Sequence, residues 1–472
     1  MKEALVSEFV ALLENSIEFK DGQVKVLKPD VVKKHARKLA EISALEKGAR
    51  SGAARYFTRL IAQELGIIPA SIHELYMARG TGAVKPTFTV PAINLRVTTF
   101  DCASAVFRAA KKLDANAILF EIARSEMVYT DQRPNEYTTS VLAAAIAEGY
   151  RGPVFLQGDH FQVKPKAYST EPAKELEALK TLMKEAIAAG WFNIDVDTST
   201  LVDLDKTSIP EQQAVNVGLS AMFTQFLRAH QPAGVNISVG GEIGEVGGHN
   251  STVEELRGYL DGYQKELKKL DKDAVGLSKV SIQTGTSHGG IVLPDGTMAK
   301  VSVDFNCLLE LGNVAKEYGL GGAVQHGAST LPEEAFGHFV QHEGLEIHLA
   351  TNFMNIWYDN IPADLKDEIY KYLRDTSAGE RKADMTDEQF YYKTRKNAVG
   401  PFKKQSWNQP ENIKSKIGQA WEDQFTRLFT VLGLQGTSQI VAKVVHPVVV
   451  APVEHDYFVG ETEAEDVTGL AD

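Results

Sequence analysis

A chain of 472 residues, 43% apolar and 24% charged, has ample material for a buried core, and its net charge of −12 argues against a nucleic-acid partner, which needs a basic face. Its two cysteines, Cys102 and Cys307, fall in separate predicted elements, which argues against a disulfide framework and suits a reducing cytoplasm. No stretch reaches the roughly 20 apolar residues of a membrane span, and Glu3, Glu8 and Glu14 interrupt the apolar start as they would not in a secretory leader.

Through residue 80 the pattern is helical. Leu5, Phe9, Leu12 and Leu13 share one face, and Tyr56, Leu60, Ile61 and Leu65 share another. Glycine and proline punctuate this stretch weakly, so residues 1–86 are expected to form an added helical extension rather than a linker. From residue 87 strands and helices alternate. FTVPAINL (88–95) precedes a helix over 101–112, and NAILFEIA (116–123) one over 137–149. PVFLQGD (153–159) precedes the helix of EPAKELEALKTLMKEAIAAG, whose Leu176, Leu179, Leu182, Met183 and Ile187 form one stripe. FNIDVDT (192–198) precedes a helix over 211–229, and VNISVGGEIG (235–244) one opened by Ser251 and Glu254 in capping-box spacing. VSIQTG (280–285) precedes a helix over 303–318, GAVQHG (322–327) a helix with Pro332 in its first turn, and LEIHLAT (345–351) ends the series.

Nearly continuous apolar strands, each followed by a helix, mark a parallel sheet buried on both faces. Eight such units predict a TIM (β/α)8 barrel over residues 87–355. A doubly wound open sheet is the alternative, but it keeps its ligand at one crevice where the strand order reverses. Here the candidate functional residues follow strands three, five, six and seven. Residues 356–472 are expected to hold helices over 363–374 and 412–433, with a basic stretch between them (Lys393, Arg395, Lys396, Lys403, Lys404). The β-branched tail IVAKVVHPVVVAPV should pack on the barrel or on a neighbouring subunit, ahead of a frayed acidic end.

Four strand ends put a strong metal ligand beside glycines: GDH with His160, GGEIGEVGG with Glu242, GTSHGG with His288 and VQHGAS with His326. A single histidine after a strand is usually a packed core or loop residue. Ligands at the ends of several strands are how a βα barrel assembles one site from distant sequence. Three imidazoles and a carboxylate suit zinc, whose catalytic sites take three protein ligands and leave one position open. Cobalt and manganese accept the same ligand types. Asp159, next to His160, is a candidate proton carrier or a carboxylate that orients the imidazole. Gly289 and Gly290, and likewise Gly327, Ala328 and Ser329, would let backbone N–H groups approach a phosphate.

GDH, E-I-G-x-V-G-G, T-x-H-G and H-G-A-S, in this order and near these spacings, resemble the class II, zinc-dependent ketose-bisphosphate aldolases. The likeness spans about residues 73–355 and starts with IHELYMARGTGAVKPTFTVPAIN. FEIARSE with QGDH is similar to the tagatose-bisphosphate branch, which includes companion subunits described as non-catalytic. The resemblance implies that His160, His288 and His326 hold one zinc ion, with Glu242 a ligand that swings on and off or a group behind the ligands. It implies that Asp159 is the acid/base at the C4 hydroxyl, and that the two glycine loops hold a phosphate and a monovalent cation. The implied reaction is reversible retro-aldol cleavage of the C3–C4 bond of a ketose phosphate. There, zinc stabilises the enediolate as a Lewis acid while a carboxylate takes the hydroxyl proton.

The departures from the family pattern bear on the substrate. A pair of acids that follows the family's G-G is here His249 and Asn250, which makes His249 the candidate for proton transfer at the enediolate carbon. The family's N-I-D-T-D eighth strand is here His348, Leu349, Ala350, Thr351 and Asn352, leaving His348 and Asn352 as candidate substrate contacts. Its phosphate-binding serine corresponds to about Ala123, with Arg124 adjacent as a candidate anion contact. Asp195 and Asp197 resemble the family's I-D-x-S segment and read as hydrogen-bond scaffolding. Three functions remain open: a zinc aldolase acting on a fructose- or tagatose-(bis)phosphate-like ketose, a ketose 4-epimerase using the same bond cleavage, and a non-catalytic partner subunit. The complete ligand set argues against the third. Expected partners are a small sugar phosphate and further copies of the chain, as a dimer or higher, with no nucleic acid and no membrane.

Overall fold

The computed structural model describes residues 1–244, 249–285, 303–329 and 331–458. Among the described residues eight parallel strands close into a barrel: β1 (Val90–Asn94), β2 (Leu119–Ala123), β3 (Gly152–Gln162), β4 (Asn193–Asp197), β5 (Ser238–Glu242), β6 (Lys279–Ile282), β7 (Ala323–Gln325) and β8 (Glu346–Leu349). Each pairs with the next, and β8 returns to β1 with His348 opposite Ala92. This is the predicted TIM barrel, and every strand expected from the apolar runs is present. Strand residues are buried almost throughout, because helices cover the outside and side chains fill the interior.

The interior carries charge where such barrels usually hold branched apolar side chains. Lys279 Nζ on β6 reaches Asp195 Oδ2 at 2.9 Å, Glu346 Oε1 at 2.5 Å and Gln157 Oε1 at 2.8 Å. Gln157 Nε2 donates to Glu121 at 2.9 Å and to Glu346 at 3.0 Å, and the Tyr76 hydroxyl donates to Glu346. Burial alone would lower the Lys279 pKa, but Asp195 and Glu346 hold it above the ordinary lysine value. Burial would likewise raise Glu346, yet Lys279 and His348 take it down to about 2. Gly240 on β5 leaves room for this cluster, since a Cβ there would stand 2.2 Å from Asp195 Oδ1.

Helices Thr99–Lys112, Pro134–Ala147, Pro172–Ala188, Ala214–His230, Val253–Leu270 and Phe305–Glu317 follow the first six strands in turn. Two helix starts differ from the sequence reading. Val253–Leu270 is capped by Thr252 with Glu255, one residue later than the predicted Ser251 and Glu254. Ser251 is occupied elsewhere: its Oγ accepts from Gln283 N–H at 3.0 Å and its own N–H donates to the Gln283 carbonyl at 2.9 Å, just past β6. Pro332 stands outside the helix it was expected to open, ahead of a 3-10 turn, Glu333–Ala335, that leads into Phe336–Gln341.

The N-terminal extension is not wholly helical. Between helices Glu3–Leu12 and Pro29–Leu45 lies a hairpin, Ile17–Lys20 against Gln23–Val26, turned by Asp21 and Gly22 at φ 52° and 75°. Asp-Gly favours a two-residue hairpin turn, but strands of four residues offer too little alternation to stand out. Strand Ile67–Pro69 adds to the start of β3. Helices Pro29–Leu45 and Ala49–Glu64 pack on the barrel helix Pro134–Ala147, and one apolar core continues from Phe9 through the barrel to Tyr457.

On the C-terminal side, helix Ala363–Thr376 is followed by the long helix Glu411–Val431, which lies on Thr99–Lys112. Arg108 ties them, reaching Glu422 at 2.5 Å and Glu148 at 2.9 Å. The β-branched tail begins as a helix, Thr437–Val444, against helix His73–Gly80, and the His446 N–H donates to Glu74 at 2.6 Å. Among the described residues no helix is long and apolar enough to cross a membrane.

Candidate metal and catalytic site

The end of β3 is irregular, and the irregularity builds the site. In a regular strand Asp159 and His160 would face opposite sides of the sheet. Here the pairing with β4 shifts between Gly158 and Phe161, and His160 adopts φ 39°. A bulge re-aims side chains in this way and stores backbone strain where function needs it. Both residues consequently enter the same buried mouth, Asp159 toward His348 of β8 and His160 toward Asp197 and Glu242 of β4 and β5. Gly158 permits the bulge, since a Cβ there would stand 2.5 Å from the Phe161 ring.

His160 Nδ1 lies 2.9 Å from Glu242 Oε1 and 3.3 Å from Asp197 Oδ2. Glu242 Oε1 lies 3.7 Å from His326 Nε2, and the two imidazole rings are 4.5 Å apart. His326 Nε2 also meets Ser281 Oγ at 3.0 Å. One donor atom from each of His160, Glu242 and His326 lies within 4.8 Å of the others, and all three residues are buried.

This donor set fits a divalent cation. Glu242 Oε1 is buried between ring nitrogens of His160 and His326. Burial, with Asp197 beside it, pushes the Glu242 carboxyl up to about 7. Burial alone would lower His160, but Asp159 and Glu242 outweigh it and hold the ring well above the ordinary histidine value. The cluster therefore attracts positive charge, and two imidazoles with a carboxylate are the donors that zinc prefers. His288, Gly289 and Gly290 lie outside the described residues.

A second buried group adjoins this one. The His348 ring stacks on His326 with centroids 3.9 Å apart. Its Nδ1 lies 3.0 Å from Glu121 Oε2 and 3.3 Å from Asp159 Oδ1, and its Nε2 lies 2.7 Å from Glu346 Oε1. Against its burial, Glu121 and Asp159 hold His348 well above the ordinary value. Burial would raise Asp159, but His160 and His348 lower it, so it is ionised at neutral pH. Glu121, desolvated and facing Asp159, is raised to about 7.

The remaining candidates are placed as follows. Gly327 takes φ 71°, Ala328 is buried, and Ser329 Oγ accepts from Ala350 N–H at 2.8 Å. Asn352 and Ser329 line one cleft with Leu349 and Gln424 at the β7–β8 edge. Arg124 is buried against Glu175 Oε1 and the Gln162 carbonyl, at 2.6 Å each, on the outer side of β3. His249 is exposed, its Nδ1 on the Asn250 carbonyl at 2.7 Å and its Nε2 4.0 Å from Glu255, neither of which belongs to the cluster. Sequence reasoning passed over Glu121, Lys279 and Glu346. The signal was a charge within an otherwise apolar strand for Glu121, and at the head of one for Lys279 and Glu346, since a buried charge requires a partner.

The family model for fructose-bisphosphate aldolase class-II matches residues 81–436, and the chain belongs to that family. No curated protein matches it in sequence. The crystal structure of fructuronate-tagaturonate epimerase UxaE from Cohnella laeviribosi is similar with a TM-score of 0.56 at 10% identity, covering 91% of this chain and 99% of that one. Fructose-bisphosphate aldolase from Campylobacter jejuni is similar with a TM-score of 0.46 at 17% identity, covering 79% and 96%. The YdjI aldolase from Escherichia coli K12 gives 0.47 at 12% identity, covering 78% and 99%.

Proposed function

We propose that the protein is a metal-dependent enzyme that breaks and remakes the C3–C4 bond of a ketose by retro-aldol chemistry. The observation that carries this reading is the buried triad His160, Glu242 and His326 with ionised Asp159 one residue away. His160 and His326, with His288 from the sequence, would hold one zinc ion, and Glu242 would join them or balance their charge. When bound, the ion supplies Lewis acidity toward the oxygens of the ketose. Asp159 takes the C4 hydroxyl proton as the bond opens and returns it on reclosure. Asp197 fixes the His160 ring through Nδ1, and His348 keeps Asp159 charged. The glycine loop after β7 supplies backbone N–H groups for an anion, and a monovalent cation is expected beside it.

A specific observation favours 4-epimerisation as the second reading. The fold shared with the fructuronate-tagaturonate epimerase extends over 91% of this chain. His348, where the family's pattern has a substrate-holding residue, suits a pocket that retains the aldehyde fragment for rotation. Zinc-loaded protein incubated with fructose and tagatose phosphates and with the corresponding keturonates, with products followed by NMR, separates the outcomes. Triose-type products indicate the lyase and an inverted C4 the epimerase. No turnover of any of them removes both readings. Free Cys102 and Cys307 support a reducing, cytoplasmic setting.

A further inference from the structure

His348 stands in place of the asparagine that opens the family's N-I-D-T-D strand, and it brings a further donor set into the barrel mouth. Its ring lies on that of His326, with centroids 3.9 Å apart. Four buried carboxylates surround its two nitrogens. Glu121 Oε2 and Asp159 Oδ1 stand 3.0 and 3.3 Å from Nδ1, while Glu346 Oε1 and Asp195 Oδ2 stand 2.7 and 3.8 Å from Nε2. Lys279 bonds both carboxylates on the Nε2 side. On the Nδ1 side Gln157 gives Glu121 an amide hydrogen bond, which brings no charge.

Asp159, His326 and His348 each place one donor atom within 4.8 Å of the others, and all three are buried. The spacing suits a single ion. Donors about 2.0–2.1 Å from a tetrahedral zinc ion stand roughly 3.3 Å from one another, and His348 Nδ1 is 3.3 Å from Asp159 Oδ1. Glu121 Oε2 is a fourth donor beside the same nitrogen. His326 also belongs to the group of His160 and Glu242, and an imidazole has two ring nitrogens to offer. Charge points the same way. Glu121, Asp159, Asp195, Asp197, Glu242 and Glu346 are all buried here, and so is Lys279. A ligating imidazole is neutral, so one divalent ion and one lysine leave negative charge in excess. Buried charge is costly until it is paired.

We propose that Asp159, His326 and His348 form a second divalent-cation site, weaker than the first, whose filling stops turnover. The site is weaker because it adjoins the first ion through the shared His326, and like charges repel. An ion bound through Asp159 takes the oxygen that would accept the C4 hydroxyl proton, so excess metal inhibits. The inhibition rests on the retro-aldol reading, whereas uptake of a second ion does not depend on turnover.

Equilibrium dialysis of the full chain against increasing free zinc, with bound metal counted by elemental analysis, tests the site. The wild type should hold one equivalent tightly and take up a second as zinc rises. His348→Gln should keep the first equivalent and weaken the second by more than roughly 100-fold, beyond what loss of a ligand's outer partner costs. Glu121→Gln should weaken the second by roughly 10- to 100-fold. Circular dichroism checks the fold of each variant, and Glu121→Gln carries the test if His348→Gln does not fold. Turnover of the wild type should fall in step with the second equivalent. Saturation of the wild type at one equivalent overturns the site, as does a second equivalent bound equally by wild type and variants. Uptake that needs His348 while turnover stays constant keeps the site and overturns the inhibition. The same uptake in a protein that turns over no ketose keeps the site and removes the retro-aldol reading.

Discussion

His348 Nδ1 lies 3.3 Å from Asp159 Oδ1, joining β8 to the bulged end of β3 across the barrel mouth. His160 Nε2 lies 3.8 Å from the same carboxylate oxygen, so Asp159 sits between two imidazoles. That environment outweighs its burial and holds it ionised, the form that accepts a proton.

Asp159→Asn tests its role directly. The amide fills the same space and still hydrogen-bonds, so the variant should fold and retain metal. Turnover should fall roughly 10²- to 10⁴-fold, the usual contribution of a positioned proton carrier, with little change in substrate binding. A principal loss of metal affinity, roughly 10- to 100-fold, would mean instead that Asp159 only orients His160. Zinc content and kcat measured on one preparation distinguish the two.

Metal content is the second measurement. Protein purified without added metal should contain about one equivalent of zinc, a single ion being what one open catalytic site holds. His326→Ala and His288→Ala should each lose it, and Glu242→Gln should bind more weakly, because it keeps the shape and loses the charge beside His160. Chelation should abolish turnover, with recovery on adding zinc, cobalt or manganese. Full metal retention in His326→Ala would sink the assignment.

The barrel was legible because its strands are unbroken apolar runs separated by amphipathic helices, a pattern that few folds share. His160, Glu242 and His326 were legible because each follows such a run and is flanked by glycine. The bulge at Asp159 and His160 was not, since nothing in GDHF marks a positive φ at a histidine. The buried Lys279–Glu346 pair was hidden for another reason: both residues open their strands, where a charge normally faces solvent. His249 shows the opposite limit, a residue that sequence position places beside the motif and the fold leaves exposed.

Assembly is the third expectation. Val449 and Val453 in the tail are 55% and 60% exposed, and Val215, Leu204 and Leu270 are other large apolar groups open to solvent. A β-branched tail that leaves apolar groups in water suits a second copy of the chain. Light scattering should give at least twice 51.7 kDa at micromolar concentration. A mass of one chain would remove the oligomer.

Lys279→Met tests the charged barrel interior, and its pH dependence has a definite sign. Lys279 hydrogen-bonds both Asp195 and Glu346, and removing it leaves these two buried carboxylates with the His348 imidazole as their cationic neighbour, 2.7 Å from Glu346 and 3.8 Å from Asp195. Breaking a buried pair in this way typically costs about 3–5 kcal/mol. In the wild type Glu346 is lowered from 4.5 to about 2, so its contribution is fully present above the ordinary value and is lost as the pH falls through about 2. Asp195 has the opposite sign. Burial outweighs Lys279 and raises it to about 6, so it costs stability as the pH rises from 3.8 through that value. Without the lysine both carboxyls must bind protons more tightly, and acidification relieves the cost of their unpaired charge. Urea unfolding should therefore show the gap between wild type and Lys279→Met largest at neutral pH and smaller at pH about 3. Adding Glu346→Gln to Lys279→Met should recover part of the loss, since one unpaired charge is then gone. A gap that stays constant or widens on acidification would show that the variant fails through packing rather than through stranded charge.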